Sequence, residues 1–239
     1  MITIAIIPAR GGSKAIPKKN IMDFCGHSLL AWTVAAARGC PAIDRVYVST
    51  DCPEISAVAR RYGAEVVRRP DDISGDRATS ESALIHACRE IEKAGRRPDR
   101  VVFLQATSPV RESSELTGAL EHFEKAGLDS LFSASVPEDL LVWWEEGGQL
   151  KSLNYDFRSR KRRQESEGGG RLLIETGSFY VTKTDLLLET GNRLGGRIGT
   201  WIVPVWKSWE IDSADGLALV ESLMKIHQLD KNPPVPVNG

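Results

Sequence analysis

The sequence opens with Met1-Ile-Thr-Ile-Ala-Ile-Ile-Pro8, a short apolar run rich in β-branched residues. It continues as Ala9-Arg-Gly-Gly-Ser-Lys-Ala-Ile-Pro-Lys-Lys-Asn20, a segment of Gly, Pro and basic residues. The apolar run predicts a parallel strand that is buried on both faces. In open α/β sheets, ligands bind at the carboxyl ends of the strands, where this second segment begins. The first twenty residues therefore predict both a fold class and the place of a functional site.

The loop after this run has the composition of an anion-binding site. Gly11 and Gly12 allow close backbone approach, and consecutive N–H groups in such a loop can surround an anion. Basic side chains are concentrated in the same loop, at Arg10, Lys14, Lys18 and Lys19. The loop matches neither the Walker A pattern nor the G-x-G-x-x-G dinucleotide pattern. We expect it to bind a triphosphate or pyrophosphate, and the alternative is a solvated basic turn.

Strand and helix patterns alternate along the rest of the chain. Further strands are predicted over residues 45–49, 65–67, 100–104 and 130–134, and helices over residues 28–38, 53–62, 79–94 and 113–125. This alternation predicts an α/β fold with a doubly wound, mostly parallel sheet. Later elements are predicted over residues 177–181, 184–189, 198–205 and 212–228. We predict one domain over 1–229, an insertion over 136–176 and a flexible tail over 230–239.

Composition and charge exclude several classes of protein. The 239 residues are 41% hydrophobic and 26% charged, which is typical of a globular chain. A net charge of −1 gives no general attraction to nucleic acid or to an anionic membrane. The four cysteines form no C-x-x-C pair, and no apolar stretch approaches the ~20 residues of a membrane helix. We therefore expect a cytoplasmic protein with no nucleic-acid partner and no membrane partner.

Several motifs together resemble the CMP-sialic acid synthetase (acylneuraminate cytidylyltransferase) family. The opening loop, residues 7–21, resembles the family's signature, with Ala15 where the family usually has Gly. Further matches follow in order at residues 66–70, 74–80, 104–111, 163–164, 177–180 and 209–212. The resemblance implies a Rossmann-like nucleotidyltransferase fold with a small insertion that is used for dimerisation. It also implies transfer of CMP from CTP to the 2-hydroxyl of a nonulosonic acid, with Mg²⁺ and with release of pyrophosphate.

The same resemblance implies roles for residues around the nucleotide. Arg10, Ser13 and Lys14 would hold the triphosphate together with the backbone of Gly11 and Gly12. Lys19, rather than Lys18, would point inward and lie near the α-phosphate. The catalytic residues implied are Arg10, Lys14, Lys19 and Asp212. Those that would read cytosine and ribose are Asn20, Arg69 and Ser80. The residue types alone also permit a turn Asn, a surface Arg and a helix-capping Ser.

The acceptor sugar would meet a second group of residues. The resemblance implies contacts from Gln105 and Tyr180, and from Arg163 and Gln164 in the insertion. Thr107 and Ser108, which follow Gln105, could equally cap the next helix. Thr176 stands where relatives that act on N-acetylneuraminate typically have Asn. Losing that amide removes hydrogen-bonding capacity near the sugar, so we expect another acceptor, such as legionaminic, pseudaminic or deaminated neuraminic acid.

A metal site is expected near the end of the chain. Glu210 and Asp212 are separated by one residue, so in an extended segment both carboxylates share a face and can approach one Mg²⁺. The resemblance implies a metal role for both positions, with Glu210 where Asp is more usual. No side chain suggests itself as a general base. A metal-bound hydroxide or a metal-polarised sugar hydroxyl is therefore the expected activator.

The insertion carries the basic run Arg158-Ser-Arg-Lys-Arg-Arg163. This run could be a nucleic-acid patch or a solvated face, whereas the resemblance implies a homodimer interface that reaches the partner's active site. Leu140, Trp143 and Trp144 would supply apolar contacts there. Alternatives to the main hypothesis are a CMP-Kdo-type synthetase, a nucleotidyltransferase for another small hydroxylated acceptor, and a catalytically silent nucleotide-binding protein.

Overall fold

The computed structural model describes residues 1–13, 16–138, 140–160 and 171–237. The strands are, in chain order, β1 (Thr3–Pro8), β2 (Asp23–Phe24), β3 (His27–Ser28), β4 (Arg45–Thr50), β5 (Glu65–Arg68), β6 (Arg100–Leu104), β7 (Ser130–Ser135), β8 (Trp143–Glu146), β9 (Gln149–Ser152), β10 (Ile174–Lys183) and β11 (Ile198–Ile202). The α-helices are α1 (Leu29–Arg38), α2 (Pro53–Arg61), α3 (Ser80–Lys93), α4 (Ser113–Lys125), α5 (Thr184–Thr190) and α6 (Ala214–Ile226).

Seven of these strands form one central sheet in the order β11-β7-β10-β6-β1-β4-β5. Every neighbouring pair is parallel except the two pairs that β10 makes with β6 and β7. The chain fills one side of β1 with β4 and β5 and then returns to the other side with β6. This reversal creates a crevice at the carboxyl ends of β1 and β6, where α/β sheets bind ligands.

Side chains of the central strands alternate between two hydrophobic layers. In β1, Ala5 and Ile7 share a buried cluster with α1, α2 and α4, whereas Ile4 and Ile6 share one with α3 and α5. Burying each such Ile side chain stabilises the fold by about 1.5–3 kcal/mol. Helices therefore cover both faces of the sheet, which confirms the predicted doubly wound, mostly parallel architecture.

A third buried cluster lies outside the sheet and holds α6. Phe24, Trp32 and Val110 pack there with Ile211 and Met224. Ile211 is fully buried, and its N–H donates to the Thr107 carbonyl at 2.9 Å. This anchor fixes the segment that leads into α6 at the crevice of the sheet.

Between β7 and β10 the chain leaves the sheet and forms the antiparallel hairpin β8–β9. Large apolar side chains of this insertion are exposed, among them Leu140, Trp143, Trp144, Leu150 and Leu153. Within the insertion, Trp143 contacts the rings of Tyr155 and Phe157. Part of the basic run, including Arg163, and the neighbouring Gln164 lie outside the described residues.

The Pro-rich tail contacts the body of the domain. Leu229–Lys231 forms a short 3₁₀ helix, Pro234 is buried, and the Val237 N–H donates to the Arg61 carbonyl at 2.9 Å. The flexibility of the tail over 230–239 stays a prediction, although its residues up to 237 lie along the domain. A segment that cannot form a core of its own can still lie along the body of the domain, here against the end of α2.

Among the described residues, no helix is both long and apolar enough to cross a membrane. The cysteines, Cys25, Cys40, Cys52 and Cys88, are all free thiols.

Candidate active site

A cleft of about 400 Å³ opens at the carboxyl ends of β1 and β6. Its walls come from the loop after β1, the start of α3, the end of β6 and the segment before α6. The described residues that line it are Pro8, Arg10, Ser13, Lys19, Asn20, Ser80, Phe103, Gln105, Ala106, Thr107 and Asp212. The cleft is thus lined by four of the eight predicted nucleotide-binding residues (Arg10, Ser13, Asn20 and Ser80), by Lys19, by the predicted sugar contact Gln105 and by the predicted metal ligand Asp212. Lys14 lies outside the described residues.

A lysine–aspartate pair crosses this cleft. Lys19 Nζ lies 2.8 Å from Asp212 Oδ1, and the lysine side chain is only 13% exposed whereas the aspartate side chain is 70% exposed. The neighbouring Lys18 has a left-handed backbone (φ 53°) and an exposed side chain that pairs with Glu54 at 2.9 Å. The backbone turn at Lys18 therefore sends the two lysines in different directions, and Lys19 is the one at the cleft.

The loop that contains Gly11 and Gly12 is anchored by Asp51 and Cys52, for which the sequence predicted no role. The Gly11 N–H donates to Asp51 Oδ1 at 3.0 Å, and a Cβ at Gly11 would lie 3.0 Å from Cys52 Cβ. A Cβ at Gly12 would meet no heavy atom within 4 Å, so Gly12 adjoins open space. Gly11 thus lets the loop approach α2, while its N–H is already engaged. Asp51 could have been suspected, because it directly follows the parallel strand β4.

Arg10 and Asn20 stabilise each other at the mouth of the loop. Arg10 Nη1 donates to the Gly75 carbonyl at 3.0 Å and to Asp76 Oδ1 at 3.2 Å. Asn20 is buried, and its Nδ2 donates to the Arg10 carbonyl at 3.1 Å. One loop after β1 and another before α3 therefore meet around the Arg10 side chain.

Arg69 and Ser80 differ in how they reach the site. Arg69 is buried, so it is not a surface residue, and it donates to the Ser49 hydroxyl and carbonyl at 3.2 and 2.6 Å. Burial lowers the pKa of its guanidinium, although nearby Asp51 opposes this effect. Arg69 is not among the lining residues.

Ser80 lines the cleft as the first residue of α3, and the helix cap is Thr79, whose hydroxyl accepts from the Ser82 N–H at 3.1 Å. The alternative capping role of Ser80 is therefore wrong.

Gln105, Thr107, Gly177 and Glu210 meet at the other end of the cleft. Gly177 has φ +69°, and a Cβ there would lie 1.9 Å from Glu210 Oε1 and 2.9 Å from Gln105 Nε2. The Thr107 hydroxyl lies 3.5 Å from both Gln105 Oε1 and Glu210 Oε2, and its one hydrogen can be donated to either. The missing side chain of Gly177 thus leaves the space that the carboxylate and the amide occupy.

Glu210 and Asp212 flank the buried Ile211 in an irregular segment rather than in a strand. Burial, and then the charge of Asp212, raise the pKa of Glu210; the Thr107 hydrogen bond and nearby Arg111 oppose the shift. Glu210 contacts Thr107 but does not itself line the cleft. In the part of the chain that the structure describes, no three His, Cys, Asp or Glu residues cluster around a possible metal position.

A buried arginine joins this end of the cleft to the sheet. Arg111 Nη2 donates to the carbonyls of Gln105, at 3.0 Å, and of Ser178, and its Nε donates to the Ser178 hydroxyl at 3.1 Å. Burial lowers its pKa to about 10, with Glu115 and Glu210 opposing the shift. Arg111 thereby fixes the backbone of Gln105 against β10.

Two of the other predicted sugar contacts, Thr176 and Tyr180, have hydroxyls that neighbouring side chains already engage. Thr176 is buried, and its hydroxyl lies 2.7 Å from the Ser133 hydroxyl and donates to the Ser133 carbonyl at 3.1 Å. Tyr180 is also buried, with its ring stacked on Phe103 at 5.4 Å and its hydroxyl donating to Glu175. Neither residue lines the cleft. Phe103 does line it, and nothing in the sequence beyond its place near a strand's carboxyl end marks it out.

Comparison with known proteins gives matches over most of the chain. The sequence model of the cytidylyltransferase family matches residues 4–160. N-acylneuraminate cytidylyltransferase A of Danio rerio is 39% identical over 197 residues, which cover 81% of this chain and 44% of that protein. Pseudaminic acid cytidylyltransferase of Campylobacter jejuni is 29% identical over 231 residues, which cover 95% of this chain and 98% of that protein. The chain thus spans less than half the length of the N-acylneuraminate enzyme and nearly all of the pseudaminic acid enzyme.

Solved structures show the same fold. A CMP:2-keto-3-deoxy-manno-octonic acid synthetase in complex with CTP has a TM-score of 0.71 at 18% identity, covering 95% of this chain and all of that one. A 4-diphosphocytidyl-2C-methyl-D-erythritol synthase has a TM-score of 0.67 at 14% identity, covering 93% and 99%. Similarity at this level of identity concerns the fold alone. Because the family's own sequence model covers most of the chain, including the loop after β1 and the strands β1 to β9, the chain belongs to the cytidylyltransferase family.

Proposed function

We propose that the protein transfers CMP from CTP to the 2-hydroxyl of a nonulosonic acid and releases pyrophosphate. The observation that carries this proposal is the Lys19–Asp212 pair in the same cleft as Gln105, at the carboxyl ends of β1 and β6. Two relatives are named for cytidylyl transfer to acids of this class, N-acylneuraminate and pseudaminic acid. The cleft has one cationic end and one end lined by the Gln105 amide and the Thr107 hydroxyl, which suits a triphosphate and a polyhydroxylated acceptor.

The cationic end would hold the triphosphate. An in-line displacement at the α-phosphate builds negative charge on the phosphoryl oxygens and on the leaving pyrophosphate, so catalysis consists mainly of positioning and charge stabilisation. Lys19 is mostly buried and has its ammonium at the cleft, so it would stabilise charge near the α-phosphate. Arg10 and Ser13 would bind the outer phosphates, joined by Lys14 and by the backbone of Gly12, while Gly11 gives the loop its close approach to α2.

The cytidine would lie between Asn20 and Ser80, both of which line the cleft. The Asn20 Nδ2 is engaged by the Arg10 carbonyl, which leaves its Oδ1 to accept from the exocyclic amine of cytosine. The Ser80 hydroxyl would contact the base or the ribose. Arg69 would act indirectly, because its buried guanidinium holds the end of β4 beneath the loop.

The residues present fit a magnesium ion. Enzymes of this family generally depend on a divalent metal. Mg²⁺ commonly binds one or two carboxylates and takes its other ligands from phosphates and water, so the absence of a larger cluster among the described residues is compatible with it. Asp212 and Glu210 would hold the ion, whose charge would relieve the repulsion that helps raise the pKa of Glu210. A bound Mg²⁺ supplies charge stabilisation and lowers the pKa of a coordinated hydroxyl.

Gln105 is the residue best placed to contact the acceptor. Its backbone is fixed by Arg111, and its amide faces the same space as Thr107 and the Gly177 turn. Thr176 and Tyr180 would influence the acceptor through the shape of β10, since both hydroxyls are engaged elsewhere. With Thr176 committed to Ser133, we infer an acceptor other than N-acetylneuraminate, such as pseudaminic, legionaminic or deaminated neuraminic acid.

We further infer that the protein is a homodimer and works in the cytoplasm. The hairpin β8–β9 exposes Trp143 and Trp144 beside Leu140, and a second copy of the chain would cover these side chains. Arg163 and Gln164 would then reach the acceptor in the partner's cleft. Four free cysteines fit a reducing compartment. Light scattering should report a dimer for the wild type, and replacing both tryptophans by serine should yield a folded monomer.

The proposed reaction is tested by measuring pyrophosphate release with CTP, Mg²⁺ and a panel of acceptors. The panel contains N-acetylneuraminic, deaminated neuraminic, legionaminic, pseudaminic and Kdo acids. Turnover with a nonulosonic acid and CTP, but not with other nucleotides, is the expected result. Turnover with Kdo alone would support a CMP-Kdo-type synthetase. CTP binding without turnover on the whole panel would favour another acceptor or a silent nucleotide-binding protein.

A further inference from the structure

Arg193 lies on the loop between α5 and β11, in a segment to which the motifs assign no role. Its Cζ is 4.3 Å from the ring centroid of Tyr180 and 5.5 Å from that of Phe103. The two rings are themselves stacked with an interplanar angle of 14°. A guanidinium at this distance is attracted to both aromatic faces, and Phe103 lines the cleft.

The same guanidinium joins two acidic side chains from different elements. Arg193 Nη1 lies 2.6 Å from Glu81 Oε1, with both side chains about one-fifth exposed, and Nη2 lies 4.0 Å from Glu175 Oε1. Arg193 Nε is buried and has no hydrogen-bond partner among the described residues. Such a partly buried pair is screened less by solvent than an exposed one. It ties the loop to the first turn of α3, next to the cleft residue Ser80.

Glu175 and Tyr180 mark the two ends of an irregularity in β10. The pairing of β10 with β7 shifts register between these residues, and the Tyr180 hydroxyl donates to Glu175 across the shift. Inside the irregular stretch, Gly177 adopts φ +69° and approaches Gln105 and Glu210. β-Bulges near active sites commonly re-aim the groups around them. The Tyr180–Glu175 bond, which Arg193 contacts at both ends, therefore fixes the shape of the turn at the acceptor end.

We propose that Arg193 is a positioning residue for acceptor recognition. It holds the start of α3 and the bulge of β10 in a fixed relation, and it packs against the Phe103 ring that lines the cleft. This inference rests on the proposed function, because it names a determinant of the acceptor subsite of that reaction. It assigns Arg193 no direct contact with either substrate.

The test compares two substitutions of Arg193 with one of Arg197, an exposed arginine on the same loop. Arg193→Gln removes the charge and the ring contacts. Arg193→Lys keeps the charge for Glu81 but loses the planar guanidinium. In the full-length protein, Arg193→Gln should raise the KM of the acceptor about tenfold, since misplaced positioning groups weaken orientation. The KM of CTP should rise less than that of the acceptor, because Arg193 reaches the nucleotide only through the first turn of α3 beside Ser80. Arg193→Lys should recover part of the loss, and Arg197→Gln should match the wild type.

Hydrogen exchange gives a readout that does not depend on the identity of the acceptor. In Arg193→Gln, amides of residues 175–180 and of the first turn of α3 should exchange faster, because the contacts that join these segments are lost. Equal rises in the KM of CTP and of the acceptor, or unchanged exchange in both segments, would overturn the proposal. If the wild type released no pyrophosphate with any acceptor, the proposed function would fail, while the exchange comparison would still decide whether Arg193 joins α3 to the bulge of β10.

Discussion

Replacing Gly177 by Ala adds one methyl group, which should greatly reduce the activity of this protein while reducing its stability only modestly. Its φ of +69° is costly for any L-residue with a side chain, and a Cβ would lie 1.9 Å from Glu210 Oε1. Ordinary van der Waals contact begins near 3.4 Å, so the carboxylate would have to retreat by about 1.5 Å. The Gln105 amide, 2.9 Å from the same Cβ, would have to move as well.

Gly191 is the matched control for Gly177→Ala. It has the same φ of +69°, but a Cβ there meets no heavy atom within 4 Å. Both substitutions should cost about 1–2 kcal/mol of left-handed backbone strain. The displaced atoms at Gly177 are the ends of two flexible side chains, so steric contact should add little to the loss of stability. For a chain of this length, the midpoint of thermal unfolding should fall by about 2–4 °C per kcal/mol in each variant.

The two variants should differ in catalysis. Moving a positioning group by about 1 Å can cost on the order of 100-fold in rate, so Gly177→Ala should lose about that factor in kcat/KM for the acceptor. Gly191→Ala should retain the wild-type rate at temperatures where it stays folded. Pyrophosphate release and thermal unfolding, measured on both proteins, make the comparison. If Gly177→Ala kept activity within a few-fold of Gly191→Ala, Glu210 and Gln105 could not both be working groups at this end of the cleft.

Four further outcomes are expected. Asp212→Ala should abolish CMP transfer. It should change the free energy of unfolding by under about 1 kcal/mol, because the Asp212 side chain of the pair with Lys19 is exposed. Near-normal turnover would show that Asp212 has no role in the site. Lys19→Ala should lower kcat more than it weakens CTP binding, with Lys18→Ala as the control, and an effect on KM alone would reduce Lys19 to uniform substrate binding. Thr79→Ala should lower the free energy of unfolding in urea by about 1 kcal/mol with little loss of activity, because it removes the helix cap. Ser80→Ala should chiefly raise the KM of CTP, and a reversed pattern would contradict both assignments. Burial raises the pKa of Cys88 to about 12, so the thiol ionises more readily in the unfolded chain. The free energy of unfolding of the wild type, relative to that of Cys88→Ala, should therefore fall as pH rises above about 9. A difference that stayed constant with pH would show that the pKa of Cys88 is the same in the folded and unfolded chains.

The fold was predictable because its signals are local. The apolar run before the glycine loop forms β1, and the alternating patterns after it form the parallel strands and the helices on both faces. The direction of β10 was not predictable in this way, because side-chain alternation is the same for a parallel and an antiparallel strand. Its direction depends on how the chain returns from the insertion, which is a property of the tertiary structure. The left-handed Gly177 within β10 likewise depends on the neighbours that need its space.

The candidate site was predictable where it depends on sequence motifs and unpredictable where it depends on burial. The motif residues Arg10, Lys19 and Gln105 do reach one cleft. Arg69 was not predictable in this way. An arginine is usually exposed to solvent, but this one is buried with hydrogen bonds to the hydroxyl and carbonyl of Ser49. The choice between Thr79 and Ser80 as helix cap likewise required the backbone angles, because both residues carry a hydroxyl. Thr79 has the extended backbone that a cap needs, and Ser80 is already helical.

The charges of the cleft explain how a highly charged substrate could enter an almost neutral protein. Two cations that line it are each in contact with a carboxylate, Arg10 with Asp76 and Lys19 with Asp212. Such contacts with an exposed partner contribute only about 0–1 kcal/mol, whereas charge-assisted hydrogen bonds to phosphate are roughly twice as strong as neutral ones. A triphosphate can therefore displace the carboxylates at little cost and find the cations already oriented. Because the Lys19 side chain is mostly buried and Asp212 is exposed, the carboxylate is the partner free to move away. The same exchange would leave Asp212 without its lysine, and thus with the negative charge that a divalent cation requires.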